Sequence, residues 1–204
     1  MSYKHHTFCV NKTISLLTLS DIFTWGGFTV VSVLMGIYLS EKIGADAIRI
    51  VGIGMAIYLL FRSITQIPLG ILLDKIKKDH DDIFVLFLGC LLMGLAFILY
   101  PIIENEANYY ILQVLLGIGA SMNLIAWRKL FVENLYRGSS GLSYGIYGTV
   151  IGIATAFLSL IGGIIASMGN QYFDLVIVIL GVWVILGGFW GGAIIFIEKR
   201  KSDC

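Results

Sequence analysis

The stretch LVIVILGVWVILGGFWGGAIIFI, which runs from Leu175 to Ile197, decides the fold class of this chain. It contains no charged residue, and its two tryptophans are its only side chains with a polar atom. A helix needs about 20 consecutive, mostly apolar residues to cross a bilayer. The stretch satisfies that length, so the chain is predicted to be a membrane protein.

The composition of all 204 residues agrees with this interpretation. The chain is 58% hydrophobic and 13% charged, with a mean hydropathy of +0.90. A soluble domain is about 45–50% apolar and about 25% charged, so a soluble or disordered protein is excluded. The net charge of +1 argues against nucleic acid as a partner. The three cysteines lie too far apart to form a disulfide framework.

Five further apolar runs of similar length precede the Leu175–Ile197 stretch in the chain. The six predicted spans cover about residues 14–39, 47–70, 83–103, 108–131, 143–168 and 175–197. Short polar breaks separate them, without a long linker or a soluble insertion. The sequence therefore predicts an all-α membrane protein, with one six-helix transmembrane domain over residues 1–204.

Lysine and arginine placement predicts the orientation, because cytoplasmic loops carry an excess of these residues. Only Lys42 and Arg49 lie in loops on one side, and Arg62 lies within the second span. All others lie on the opposite side: Lys4, Lys12, Lys75, Lys77, Lys78, Arg128, Lys129, Arg137, Lys199, Arg200 and Lys201. We therefore expect a multi-pass protein of the cytoplasmic (plasma) membrane with both termini in the cytoplasm.

Polar side chains follow a repeating order along the spans. Spans one, two, four and five each carry several polar side chains, whereas spans three and six are almost wholly apolar. The order polar, polar, apolar thus occurs twice, which is typical of a 3+3 inverted-repeat bundle. Chance scatter of weakly polar residues is the alternative. Wholly apolar spans are expected to face lipid.

Two ionisable residues, Asp21 and Arg62, lie inside predicted spans. At a rise of about 1.5 Å per residue, both lie roughly 10–12 Å from the cytoplasmic side. Their equal depth and opposite charge predict an ion pair between spans one and two. Asp21 is either a proton-linked or substrate-linked carboxylate in a cavity wall, or one member of a structural pair.

Candidate cavity residues lie on helical faces of spans one and four. In span one, Asp21, Trp25 and Ser32 share one face with Phe28. In span four, Asn123 and Trp127 follow each other at helical spacing. The Asn123 amide is placed either to bind a solute or to bond a neighbouring helix. With Arg62, these residues form the predicted substrate cavity.

The segment GILLDKIKK, from Gly70 to Lys78, follows the second span on the cytoplasmic side. It resembles the loop motif of the major facilitator superfamily (MFS), in which glycine is followed by an Asp-Arg/Lys pair and then by further basic residues. Gly70, Asp74 and Lys75 match that motif, while Lys77 replaces its second glycine. Lys78 lies in the basic part of the motif, and Asp79 stands at its last basic position.

The resemblance implies a gating role for this loop, in which the motif holds two transporter halves together in the outward-facing state. Asp74 would then cap a helix N-terminus or pair with Arg128 at the end of span four. A simple positive-inside topology signal is the alternative for the same residues. The resemblance also extends to span five, where Gly145, Gly162 and Gly163 match glycines of a helix-packing motif of family antiporters.

Six spans are half of the twelve found in a usual family member, so the chain resembles a natural half-transporter or a fragment. The resemblance implies secondary active transport of a small solute by alternating access, without cofactor or metal and possibly with a coupled proton. A homodimer or a second six-helix chain would complete the cavity. The alternative is a non-transporting membrane subunit that keeps the half-fold as a binding or assembly partner.

An enzyme is not expected. An intramembrane serine protease needs a histidine base within a span. The three histidines, His5, His6 and His80, all lie outside the predicted spans.

Overall fold

The computed structural model describes residues 11–44, 46–75, 79–135, 140–169 and 172–197. Over these residues the chain is helical and contains no β-strand. The six helices are α1 Lys12–Lys42, α2 Ala47–Lys75, α3 Asp79–Ile98, α4 Glu106–Glu133, α5 Ser140–Ser167 and α6 Phe173–Gly192. All six are long and apolar enough to cross a membrane, so the predicted all-α architecture with six spans is confirmed.

Local chemistry explains where individual helices begin and end. The Asn11 side chain accepts a hydrogen bond from the Thr13 N–H at 2.9 Å and so caps the start of α1. Gly44, after α1, and Gly169, after α5, have φ angles of 103° and 131°. Glycine adopts such angles without the steric strain that a Cβ atom would cause. Both helices therefore end where the chain must turn back toward the membrane.

Two helices end earlier than the hydropathy pattern predicts. The third predicted span reaches residue 103, but α3 ends at Ile98 and a 3₁₀ turn covers Tyr100–Ile102. Pro101 lies in that turn and has no N–H with which to continue α-helical bonding. The sixth span likewise changes at Gly192 into a 3₁₀ turn over Ala193–Phe196. Apolar composition alone does not reveal these changes of helix type.

The helix packing has the symmetry of two inverted three-helix repeats. Helix α1 packs mainly on α5 and α6, and α4 packs in the same way on α2 and α3. Helices α3 and α6 pack on each other. Exchanging α1 with α4, α2 with α5 and α3 with α6 leaves this set of neighbours unchanged. Because each repeat has three spans, the second repeat crosses the membrane in the opposite sense.

Two ion pairs at opposite ends of the bundle follow the same symmetry. Lys42, the last residue of α1, contacts Asp174 in the first turn of α6 at 3.1 Å. Lys129, near the end of α4, contacts Asp82 near the start of α3 at 3.0 Å. Exchanging the two repeats converts one pair into the other. Each pair joins the end of one helix to the start of its main neighbour.

The apolar helices α3 and α6, which were expected to face lipid, are each buried on one side and exposed on the other. The two helices form the central contact between the repeats, and at Gly94 and Gly181 their backbones touch. A Cβ added to Gly181 would lie 2.7 Å from the Gly94 carbonyl oxygen. Half of the most apolar window of α3 is buried, against 6% for α5. Glycines at such positions let two apolar helices pack closely against each other. The most exposed helices are α2 and α5.

Candidate solute-binding site

Asp21 is bonded to α5 and not to α2. Its side chain is 2% exposed, and Oδ2 accepts a hydrogen bond from the Tyr147 hydroxyl at 2.5 Å. The other carboxylate oxygen, Oδ1, is buried without a hydrogen-bond partner among the described residues. A buried polar atom without a partner is rare and costs free energy, so this oxygen marks Asp21 as a candidate site for a proton or a solute group.

Arg62 lies among aromatic rings. The guanidinium carbon is 5.2 Å from the centre of the Trp25 ring and 5.9 Å from that of Tyr58. One terminal nitrogen donates to the Tyr58 hydroxyl at 3.3 Å, while Nε is buried without a partner. The rings give the cation a favourable electrostatic environment. They do not neutralise its charge.

The predicted ion pair between Asp21 and Arg62 is therefore wrong. Within the described part of the chain, neither residue takes part in an ion pair within 4.0 Å. The physical reason is the direction of each side chain on α1, because Asp21 faces Tyr147 on α5, whereas Trp25 faces Arg62 on α2. Equal depth in the membrane does not bring two side chains together when they lie on different faces of their helices.

Asn123 and Trp127 bond helices to one another. The Asn123 side chain is fully buried; its oxygen accepts from Trp25 Nε1 at 3.1 Å and its nitrogen donates to Cys90 Sγ at 3.2 Å. Trp127 donates to the Leu17 carbonyl oxygen at 3.1 Å. Of the two roles open for Asn123, the structure places it in bonding to neighbouring helices. Trp127 also belongs to the packed interior of the bundle.

A pocket opens beside Arg62, toward the end of the bundle where α1 ends. Its cavity volume is about 40 Å³, and the pocket is partly open. Its wall is mostly aromatic and aliphatic, and Gln113 supplies an amide that donates to the Tyr100 hydroxyl at 3.0 Å. The wall consists of Phe28, Val31, Ser32, Met35, Val51, Met55, Tyr58, Phe97, Tyr100, Tyr109, Gln113 and Leu116.

Only Ser32 of the predicted cavity residues lines this pocket, and its side chain is exposed. Trp25 and Arg62 adjoin the pocket through Phe28 and Tyr58. The ring centres of Trp25 and Phe28 are 5.4 Å apart, and those of Phe28 and Tyr58 are 5.5 Å apart. Sequence reasoning missed the tyrosines and Gln113 as wall residues. Their signal was present as polar groups: Tyr58 in span two, Tyr109 and Gln113 in span four, and Tyr100 in the otherwise apolar span three.

The loop motif is only partly described. Gly70 lies near the end of α2 with open space at its Cα, and Asp74 and Lys75 are exposed. Lys77 and Lys78 lie outside the described residues.

The expected partner of Asp74, Arg128, is exposed and forms no ion pair with it. The neighbouring Lys129 makes the connection instead. It donates to the Leu73 carbonyl oxygen at 2.7 Å and bonds Asp82, so it joins α4 to the end of α2 and the start of α3. Because adjacent residues of a helix point in different directions, Lys129 faces the neighbouring helices and Arg128 does not.

The three glycines of span five have different surroundings. Gly162 faces α1, and a Cβ there would collide with the Val30 side chain. Gly145 and Gly163 have nothing within 4 Å of an added Cβ. Close packing inside this bundle therefore applies to Gly162, whereas the other two lie on an open side of α5.

Comparison with known proteins places this geometry in a family. The model of the Major Facilitator Superfamily matches residues 17–203. An uncharacterized MFS-type transporter of Methanocaldococcus jannaschii is 23% identical over 159 residues, which are 78% of this chain. The match spans 40% of that relative's length. With six membrane-spanning helices in two inverted repeats, the chain is an integral membrane protein and belongs to the Major Facilitator Superfamily.

Proposed function

We propose that this chain is one half of a secondary active transporter that moves a small solute across the membrane by alternating access. Family membership and the printed name of the relative support transport as the class of activity. The chain forms one six-helix domain in this proposal. A second six-helix bundle faces it and encloses the solute.

The observation that carries the proposal is the buried Asp21 carboxylate with its unpartnered Oδ1. Ionisable groups inside membrane spans are costly and usually belong to substrate, ion or proton pathways. A protein that only holds a partner in the membrane does not need such a group. In the proposal, Asp21 exchanges a proton during the transport cycle, and the Tyr147 hydroxyl holds the carboxylate in place between α1 and α5.

The second bundle is proposed to contact the exposed sides of α2 and α5. Gly70 on α2 and Gly148 and Gly152 on α5 have open space where a Cβ would lie, so another helix can approach closely there. Gly54 on α2 faces inward instead, because the ring of Tyr109 packs against it within the bundle. The proposed partner is a second copy of this chain or a similar six-span chain.

Orientation and gating complete the proposal. The lysine and arginine distribution supports cytoplasmic termini in the plasma membrane. Two identically inserted copies then share an axis along the membrane normal, which is the symmetry between transporter halves. In the proposal, the exposed Asp74 lies at the cytoplasmic end of α2 and contacts the second bundle in one state of the cycle.

Proteoliposomes that contain the purified chain and a trapped pH-sensitive dye test this function. Small organic acids, amines and sugars are added one by one, and proton flux is recorded with and without an imposed pH gradient. Solute-dependent flux that is absent from Asp21→Asn and from empty liposomes is the expected result. A chain that self-associates but moves no added solute would instead be the non-transporting subunit.

A further inference from the structure

Arg62 is a half-buried cation that no described carboxylate neutralises. Its nearest polar partner is the Tyr58 hydroxyl, a neutral group, and its Nε is buried without an acceptor. The guanidinium lies over the rings of both Trp25 and Tyr58. Arginine binds carboxylates through several parallel N–H donors, so an arginine that is positioned but not neutralised favours an anionic ligand.

The pocket beside Arg62 is neutral and mainly apolar. No lysine, arginine, aspartate or glutamate belongs to its wall, whose polar groups are hydroxyls, one amide and thioether sulfurs. Tyr58 belongs to the pocket wall and is also the hydrogen-bond partner of Arg62. The cation and the apolar pocket are therefore two adjoining parts of one site.

We propose that the solute is a small organic monocarboxylate with an aromatic or branched apolar body. Its carboxylate binds the Arg62 guanidinium. Its body is larger than the enclosed part of the pocket, so it extends through the open side while it packs against Phe28 and Tyr58. The inference rests on the proposed function only where it calls the ligand a transported solute. The binding of an anion is argued from the contacts of Arg62 and from the pocket wall. Asp21, bonded to Tyr147, does not compete for the same cation.

Binding of benzoate to the full chain in lipid nanodiscs tests the proposal. Radiolabelled benzoate is bound and then displaced by unlabelled benzoate, benzamide or benzylamine, which share a ring and differ in charge. Benzoate is expected to displace the label at least about tenfold more effectively than either neutral or cationic analogue, as expected for a charge-assisted pair.

Variants identify the residue that recognises the charge. Arg62→Gln is expected to lose this preference for benzoate and Arg62→Lys to keep most of it. Arg49→Gln is the matched control on the same helix, because Arg49 pairs with Glu106 at 2.7 Å outside the site. Size-exclusion profiles show whether each variant is folded. Tyr58→Phe is a second variant, which keeps the Arg62 cation and removes only the hydroxyl that accepts its hydrogen bond.

Three results would overturn the proposal: no benzoate binding, equal displacement by benzamide or benzylamine, or full binding by a folded Arg62→Gln chain. If Arg62→Gln lost self-association but bound benzoate unchanged, the proposal would fail, and Arg62 would instead pair with an acidic residue of the second bundle. Arg62-dependent binding without flux in proteoliposomes would contradict transport alone. Flux of neutral or cationic solutes without anion binding would contradict this inference alone.

Discussion

The hydroxyl of Tyr147 on α5 donates a hydrogen bond to the Asp21 carboxylate on α1, across a contact that joins the two inverted repeats. The acceptor oxygen Oδ2 is satisfied and Oδ1 is not. The bond connects residues 126 positions apart in the chain. It makes α5, an otherwise exposed helix, part of the candidate site.

Tyr147→Phe is expected to lower the free energy of unfolding by about 1–3 kcal/mol, because it leaves a buried carboxylate without its donor. The measurement is unfolding by sodium dodecyl sulfate in mixed micelles. Tyr144→Phe is the control, since Tyr144 packs its ring on Phe131 on the same helix side. Equal effects of the two substitutions would show that ring packing, not the hydrogen bond, matters.

Asp21→Asn and Arg62→Gln are expected to act independently on stability. The two side chains do not pair, so the double variant should equal the sum of the single variants within about 0.5 kcal/mol. Unfolding free energies of the four proteins in the double-mutant cycle give this coupling. A coupling well above 1 kcal/mol would restore the ion pair that the contacts exclude.

Lys129→Met is expected to destabilise the bundle by about 1–3 kcal/mol, because Lys129 bonds both the Leu73 carbonyl and the buried Asp82. Arg128→Met, the adjacent exposed position, is expected to change stability by no more than about 0.5 kcal/mol. Thermal unfolding in detergent compares the two variants directly. A larger effect at Arg128 would mean that this residue, rather than its neighbour, connects the helices.

Gly181→Ala is expected to destabilise the contact between α3 and α6 by about 1–3 kcal/mol, because the new methyl group meets the Gly94 carbonyl. Gly163→Ala adds the same methyl group where nothing lies within 4 Å and serves as the control. Unfolding in mixed micelles measures both. A neutral Gly181→Ala would show that the two backbones separate at little cost.

Cysteine crosslinking in native membranes tests where the second bundle lies. In a background without the native cysteines, Gly152→Cys on α5 is expected to crosslink between copies and Ile179→Cys on α6 is not. Ile179 is a suitable control because it is 54% exposed and therefore accessible to the crosslinker. Crosslinking at Ile179 alone would place the contact on α6.

Sequence reasoning located the polar groups of the site better than their partners. Asp21, Trp25 and Arg62 are indeed at or beside the buried contacts of the bundle. The aromatic wall of the pocket was not predicted, because Phe97, Tyr100 and Tyr109 look like ordinary apolar span residues until several helices bring them together. Helical spacing reports one face of one helix, and a pocket needs faces of several.

The sequence by itself determined the membrane class, the number of spans and the family, because these depend on the length and apolarity of local runs and on matching residues along the chain. Only the tertiary structure decided that Asp21 bonds Tyr147, that Lys129 rather than Arg128 points inward, and that α5 rather than α3 is the exposed helix. The physical reason is that each helix packs against the neighbours whose surfaces fit its own. Backbones approach where glycines such as Gly94 and Gly181 coincide, and that coincidence involves residues far apart in the chain.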